Sequence, residues 1–201
     1  MTGIQTCALP ISVRLRVRPV LLGAAALLLA LGPALRAEEE EPRVAGVSTA
    51  FAGRVLRVSA HLSPELPEEL ARRLASGLPT TVVWRIGLFA HRPLWWDGRK
   101  GERRYAVTAT YRPDSDDLSV ERRLDGRLLD TEIVRTRAEA GHALARVSAL
   151  PAFTMGRHLD GKRLVVKVAC RYGTSVSLGV VPTDAETEWR RSPVFVWTEP
   201  S

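Results

Sequence analysis

The sequence predicts an α+β domain, predominantly antiparallel β, with about eight strands and two short helices. Three observations carry that expectation. Apolar residues recur at every second position through most of the chain after residue 43, as in half-buried antiparallel strands. Asp-Gly pairs at 125–126 and 160–161 mark tight turns. The period lengthens to a helical one in only two places. Periodicity leaves open whether the strands build one curved sheet or a two-layer sandwich.

The chain opens on "MTGIQTCALPIS", which has the character of translated sequencing-adaptor read-through; residues 1–12 are expected to be non-native, with the natural start near Val13. Residues 13–37 read as a secretory signal: arginines in "VRLRVRPV", an apolar run "LLGAAALLLAL", then small residues in "GPALRA". The apolar run is short for a bilayer span, which takes ~20 residues. Cleavage is expected near Ala37, with Ala34 as the alternative site and an uncleaved anchor as the rival reading. Residues 38–43 form an acidic linker, and 44–199 a single domain.

In that domain "RVAGVSTAF" pairs through Ala52-Gly53 with "RVLRVSAHL", whose Leu56, Val58, Ala60 and Leu62 share one face. "SPELPEELARRLASG" places Leu66, Leu70 and Leu74 four apart beside Ala71, a helix with Ser63 as cap, Pro64 or Pro67 in its first turn, and Gly77 as its stop. Period two returns in Val82, Trp84, Ile86 and Leu88, and again in Tyr105, Val107, Ala109 and Tyr111. "LSVERRL" and "RLLDTEIV" flank Asp125-Gly126, so residues 80–134 read as a four-stranded meander. Thr136 and Glu139 form a capping box. The helix they open, with Ala140, Ala143, Leu144 and Val147 on one face, is expected to run to Pro151. A long strand follows from Lys162 to Tyr172; residues 173–193 are weakly patterned, and "SPVFVWTEP" closes the chain as a short strand with Phe195 and Trp197.

The formal charge of +7 arises largely in the leader, whose four arginines and lack of acids leave 25 of the 29 basic residues against 22 acidic ones beyond it, a balance of +3. Nucleic-acid binding is not expected at that charge. Of the two cysteines, Cys7 falls in the suspect segment, so Cys170 is unpaired and reads as a small buried hydrophobe on the face of Leu164, Val166 and Val168. No Cys follows the apolar run, so no lipid-modified N-terminus is expected.

Chemistry-bearing patterns are sparse. His61, His91, His142 and His158 show no metal spacing, and "DSDD" at 114–117 lacks the later ligands of a calcium loop. There is no nucleophile elbow, Ser-x-x-Lys arrangement, phosphate loop or dinucleotide fingerprint. No catalytic, cofactor-binding or metal-binding residue is therefore expected, and no cofactor. The arginine pairs 72–73, 103–104, 122–123 and 190–191 read as solvated, with contact to anionic lipid or glycan as the rival reading; in the three pairs on strands, neighbours point to opposite faces and cannot form one patch. The remaining candidates are Trp95 and Trp96 in "HRPLWWDGRK", between two strands of the meander, as a surface-contact or ligand-stacking pair, with one of them expected to pack.

The chain resembles the bacterial domain-of-unknown-function family 4390. The resemblance rests on "LSPELPEEL", "LASGLPTTVVWRIGLF", "WWD" after a basic stretch, "RRYAVTATY", "LSVERRLDG", "RAEAGHALARVSAL" and "VFVW", and spans roughly residues 44–198. It implies a secreted or envelope protein of a mainly proteobacterial family with no assigned reaction, so it brings no site residue with it. The departures are residues 1–12 and the diffuse stretch 173–193.

The leading expectation is a non-enzymatic exported module of the periplasm or cell envelope that binds or scaffolds a protein partner, without a transmembrane span after signal cleavage. The first alternative holds a lipid or other apolar ligand in a sheet concavity, and calls for a deep apolar cavity. The second is a hydrolase using His61 or His91, and calls for a carboxylate beside the histidine in a cleft.

Overall fold

A computed structural model describes residues 41–65, 67–94, 96–172 and 185–199. The first hairpin joins β1 (Arg43–Ala52) to β2 (Val55–Ser63). The expected linker thus ends one residue early, because Arg43 already pairs with Ser63. The alternation of Leu56, Val58, Ala60 and Leu62 puts all four in the core.

Helix α1 (Glu68–Ala75) starts later than expected. Ser63 ends β2 and does not cap the helix; Pro67 holds the N-cap position, and its carbonyl accepts the Ala71 N–H. Proline disfavours helix in the residue before it, so the helix starts after the later of the two prolines. Leu70 and Leu74 are buried; Leu66 lies outside the described residues. Gly77, at φ +74°, takes the left-handed conformation that ends the helix.

The meander forms as its alternation requires: β3 (Thr80–Ala90), β4 (Gly98–Arg112), β5 (Asp117–Leu124) and β6 (Arg127–Val134) pair antiparallel in sequence order. The β5–β6 turn places both Asp125 and Gly126 at positive φ, the geometry an Asp-Gly pair favours. Helix α2 (Arg137–Leu144) carries both bonds of the capping box between Thr136 and Glu139. It does not continue to Pro151. The chain leaves the helix at Ala145, and Arg146–Thr154 is a strand, β7, in which Val147, Leu150, Ala152 and Phe153 are buried. A short 3₁₀ turn (Arg157–Leu159) leads to β8 (Arg163–Tyr172). Two-residue strands β9 (Ala185–Glu186), β10 (Arg190–Arg191) and β11 (Phe195–Val196) run back along β8; residues 173–184 lie outside the described ones.

Pairing beyond the meander is non-local. β8 adds to the far side of β3, giving an eight-stranded sheet in the order β10-β8-β3-β4-β5-β6, with β9 and β11 also on β8. β7 returns to β2, giving a separate sheet in the order β1-β2-β7. The sheets do not close into a barrel. They share one core, in which Trp84, Ile86, Val107, Val120, Val166 and Cys170 of the larger sheet meet Leu56, Val58, Val147 and Leu150 of the smaller. Residues Glu40–Ser201 form one compact unit around this core.

Three strands cannot cover the whole inner face of the larger sheet. β1 lies against β8 and β10, and β7 reaches β4, where the Arg103 guanidinium donates to the Ala152 carbonyl at 3.2 Å. Helix α2 covers part of β5 and β6. No described residue covers what remains of their inner face.

Candidate functional site

That uncovered face is a groove of about 1050 Å³ between β6, β7 and α2. Its floor is Tyr105, Arg122, Asp130 and Glu132; α2 contributes His142 and Ala143 to the walls, and β7 contributes Leu150 and Pro151. Alternation explains the floor. Arg122 continues the inward series of Leu118 and Val120, and its register partner Asp130 faces the same way. The Arg122 guanidinium donates to Glu132 at 2.7 Å and to Asp130 at 3.3 Å. Burial disfavours the Arg122 charge, but Glu132 and Asp130 outweigh it and raise its pKa.

Tyr105 is 5 % exposed, yet no hydrogen bond from a described residue reaches its hydroxyl, and burial pushes its pKa up. A phenol oxygen without a protein partner keeps contact with solvent, and the Tyr105 oxygen does so. This one lines the groove, where an acceptor from outside can meet it.

Along the rim runs β6, the last strand of its sheet. Leu128, Leu129 and Ile133 are 45–49 % exposed on it. An edge strand with exposed apolar side chains is a pairing site unless something covers it. At the helix end of the groove, Glu65 accepts from Arg146 at 2.8 Å and His142 at 2.9 Å, and Arg146 first, then His142, lowers its pKa.

Trp96 lies elsewhere, in the β3–β4 connection; Trp95 is outside the described residues. Trp96 is 86 % exposed and its neighbour Leu94 96 %, so neither packs on the domain. A clasp closes the base of this loop. One Asp97 oxygen meets the His91 Nδ1 at 3.1 Å and the Arg92 N–H at 3.4 Å; the other meets the Lys167 ammonium at 2.8 Å. Lys167, ahead of His91, holds the Asp97 carboxyl below the usual carboxylate range. The Lys167 ammonium also sits 4.8 Å from the Phe89 ring centroid, which ties the clasp to the sheet.

The histidine-acid contact expected of a hydrolase is therefore present at His91, but Lys167 already occupies the carboxylate, and neither His91 nor Asp97 lines the groove. His61 stands on the outer face of β2 over Gly46, where a Cβ would collide with its ring. His158 lies against Gly156. Asp116 accepts from the Tyr111 hydroxyl at 2.8 Å, and Asp117 pairs with Arg112 at 2.9 Å, which accounts for the acidic turn. Among the described residues no His, Cys, Asp or Glu cluster has the makings of a metal site, and no helix is long and apolar enough to cross a membrane. The arginine pairs on strands diverge: Arg122 enters the groove while Arg123 pairs with Glu121 at 3.0 Å.

Reading the sequence alone missed the groove, because it arises from pairing between β2 and β7 across about a hundred residues. The one local sign is "RLLD": two adjacent leucines in a strand cannot both face a core. The sequence model of a family described as a domain of unknown function (DUF4390) matches residues 40–176. No curated protein and no solved structure matches the chain.

Proposed function

The chain belongs to the DUF4390 family, and from that premise we propose that it is an exported, non-enzymatic binding module of the cell envelope. On this reading it holds an extended segment of a partner protein along the free edge of β6. One observation carries the proposal: among the described residues, nothing covers this part of the inner face of β5 and β6 and no strand pairs with the outer edge of β6. A strand added there extends the sheet through main-chain bonds and directs alternate side chains into the groove. The inward side chains meet Leu129, Leu150 and Pro151, and an acceptor among them takes the Tyr105 hydroxyl. Asp130 and Glu132 facing inward discourage indiscriminate pairing, which is how natural edges stay soluble. The leader supports the export half of the reading.

A lipid chain fits this groove less well. It would take the half-exposed Asp130 and Glu132 carboxylates out of water without offering them a hydrogen bond, and that desolvation is costly even for paired charges. A backbone supplies both donors and acceptors.

The test is site-specific photocross-linking in the native envelope, with benzoylphenylalanine at Ile133, or at Thr81 on the outer face of β3 as control. Ile133 should yield one discrete adduct whose cross-linked peptide maps to a single extended segment. A synthetic copy of that segment should bind the purified protein, and its backbone N-methylated form should not. Equal labelling from Thr81, or a peptide indifferent to N-methylation, would sink the proposal.

A further inference from the structure

We infer that the loop tip carrying Leu94 and Trp96 is a contact for the headgroup layer of an anionic bilayer. Leu94 and Trp96 have the greatest exposure of the large apolar side chains among the described residues. They project from a loop whose base is pinned by Asp97, Lys167 and His91, so their exposure is built into the fold. A Trp and a Leu at a convex tip, polar at its base, match the interfacial layer, where indole rings concentrate.

The surroundings have the complementary charge. Ala90 pairs with both Gly98 and Leu164, and Arg163 pairs with Val196, so the register brings the ends of β3, β4, β8 and β11 together. The cations at this end, Arg92, Lys100 and Arg163, form no ion pair with any described residue. Of the carboxylates nearby, Asp97 is engaged by Lys167 and His91, Glu102 by Arg85 and Arg99, and Glu199 by Arg54 and Arg157; Asp160 takes only the Glu199 N–H, so one acid stands against these three cations. Free positive charge therefore surrounds the apolar tip. Val196, 54 % exposed, and Phe51, 42 % exposed and edge-on to Phe195 at 5.7 Å, continue the apolar surface at the same end. Apolar insertion and attraction to anionic lipid act together in this kind of surface binding.

The surface is separate from the groove, whose lining includes none of these residues, so the inference stands whether or not the groove takes a partner. The test uses the unit Glu40–Ser201, which holds the complete core and omits the apolar leader. It is co-sedimented with vesicles of equal parts phosphatidylglycerol and phosphatidylcholine, and with phosphatidylcholine alone. The unit should pellet with the anionic vesicles and stay largely in solution with the zwitterionic ones. Combining Leu94→Ser with Trp96→Ser should lower partitioning at least tenfold. Arg92→Gln and Lys100→Gln should each lower it about fivefold and weaken its dependence on salt. Thr81→Asn, on the outer face of β3, leaves charge unchanged and should bind vesicles as the parent does. All five side chains are exposed, so circular dichroism should confirm an unchanged fold. A parent unit that remains in solution with anionic vesicles overturns the inference. So does a Leu94→Ser, Trp96→Ser variant that binds undiminished, because adsorption would then be electrostatic without the tip.

Discussion

The indole Nε1 of Trp84, at the centre of the larger sheet, donates to the carbonyl of Leu144, the last residue of α2, at 3.3 Å. The next carbonyl, of Ala145, accepts the Leu62 N–H of the smaller sheet at 2.9 Å. The last carbonyls of a helix lack partners within it, and here one from each sheet is supplied. The helix end is thereby stitched between both layers, at the place where the chain turns to start β7. Trp84 is fully buried, so Trp84→Ala should destabilise the domain by about 3–5 kcal/mol. Trp84→Phe should cost about 1–3 kcal/mol, since it leaves the Leu144 carbonyl unpaired while keeping much of the ring volume. Urea denaturation midpoints measure both, and a Phe variant as stable as the parent would show that the hydrogen bond contributes nothing.

The same junction shows where the sequence stops being legible. Hairpins and the meander could be read because their partners are neighbours in the chain and alternation sets their faces, as in Leu56, Val58, Ala60 and Leu62. The capping box at Thr136 and Glu139 could be read because its chemistry is local. β7 could not. Val147 falls on the helical face of Ala140, Ala143 and Leu144, and Pro151 looks like a terminator. In the fold, Pro151 sits in an edge strand, where a missing N–H is tolerated. Irregular register against β2, with Ala149 at φ +45°, breaks the alternation that would have revealed the strand. The groove inherits this blindness, because β7 is one of its walls. Trp96 was visible as a candidate from its polar setting alone, while the clasp beneath it required Lys167 from β8.

Tyr105→Phe separates a binding role from a structural one. No described residue bonds the hydroxyl, so its removal should leave the unfolding free energy within about 0.5 kcal/mol of the parent. Affinity for the segment identified by cross-linking at Ile133 should fall, by about tenfold for one lost buried hydrogen bond. Loss of stability without loss of affinity would assign the hydroxyl to the fold.

Acid should open the loop clasp. Lys167 holds the Asp97 carboxyl below its ordinary range, with His91 and the Arg92 N–H adding to the effect. A group with a depressed folded pKa contributes stability above its unfolded value, about 4 for Asp, and loses it as pH falls through the folded value. Asp97→Asn should therefore be less stable than the parent at pH 7, by about 1 kcal/mol for a pair still partly in contact with water. The difference should shrink below pH 4. Urea midpoints of the two proteins from pH 7 to pH 3 test this, and a gap that stays constant in acid would count against the clasp.

The thiol of Cys170 should be inert in the native protein. It is fully buried among Leu164, Val166 and Val168, and burial pushes its pKa far above the usual thiol range. The thiolate is the reactive form, so both access and ionisation are denied. The backbone around it is held as well: the Cys170 N–H donates to Thr187 Oγ1 at 3.0 Å, and the Thr187 N–H donates back to the Cys170 carbonyl at 2.8 Å. In the unit Glu40–Ser201, which lacks Cys7, labelling by Ellman's reagent at pH 8 should therefore be absent without denaturant and appear across the urea unfolding transition. Thr187→Val removes the acceptor but not the strand. It should bring labelling to lower urea concentrations in step with the loss of stability, about 1 kcal/mol for one hydrogen bond. Rapid labelling of the folded parent would mean that β8 opens locally, and that the pairing of residues 185–197 with it is far weaker than its bonds indicate.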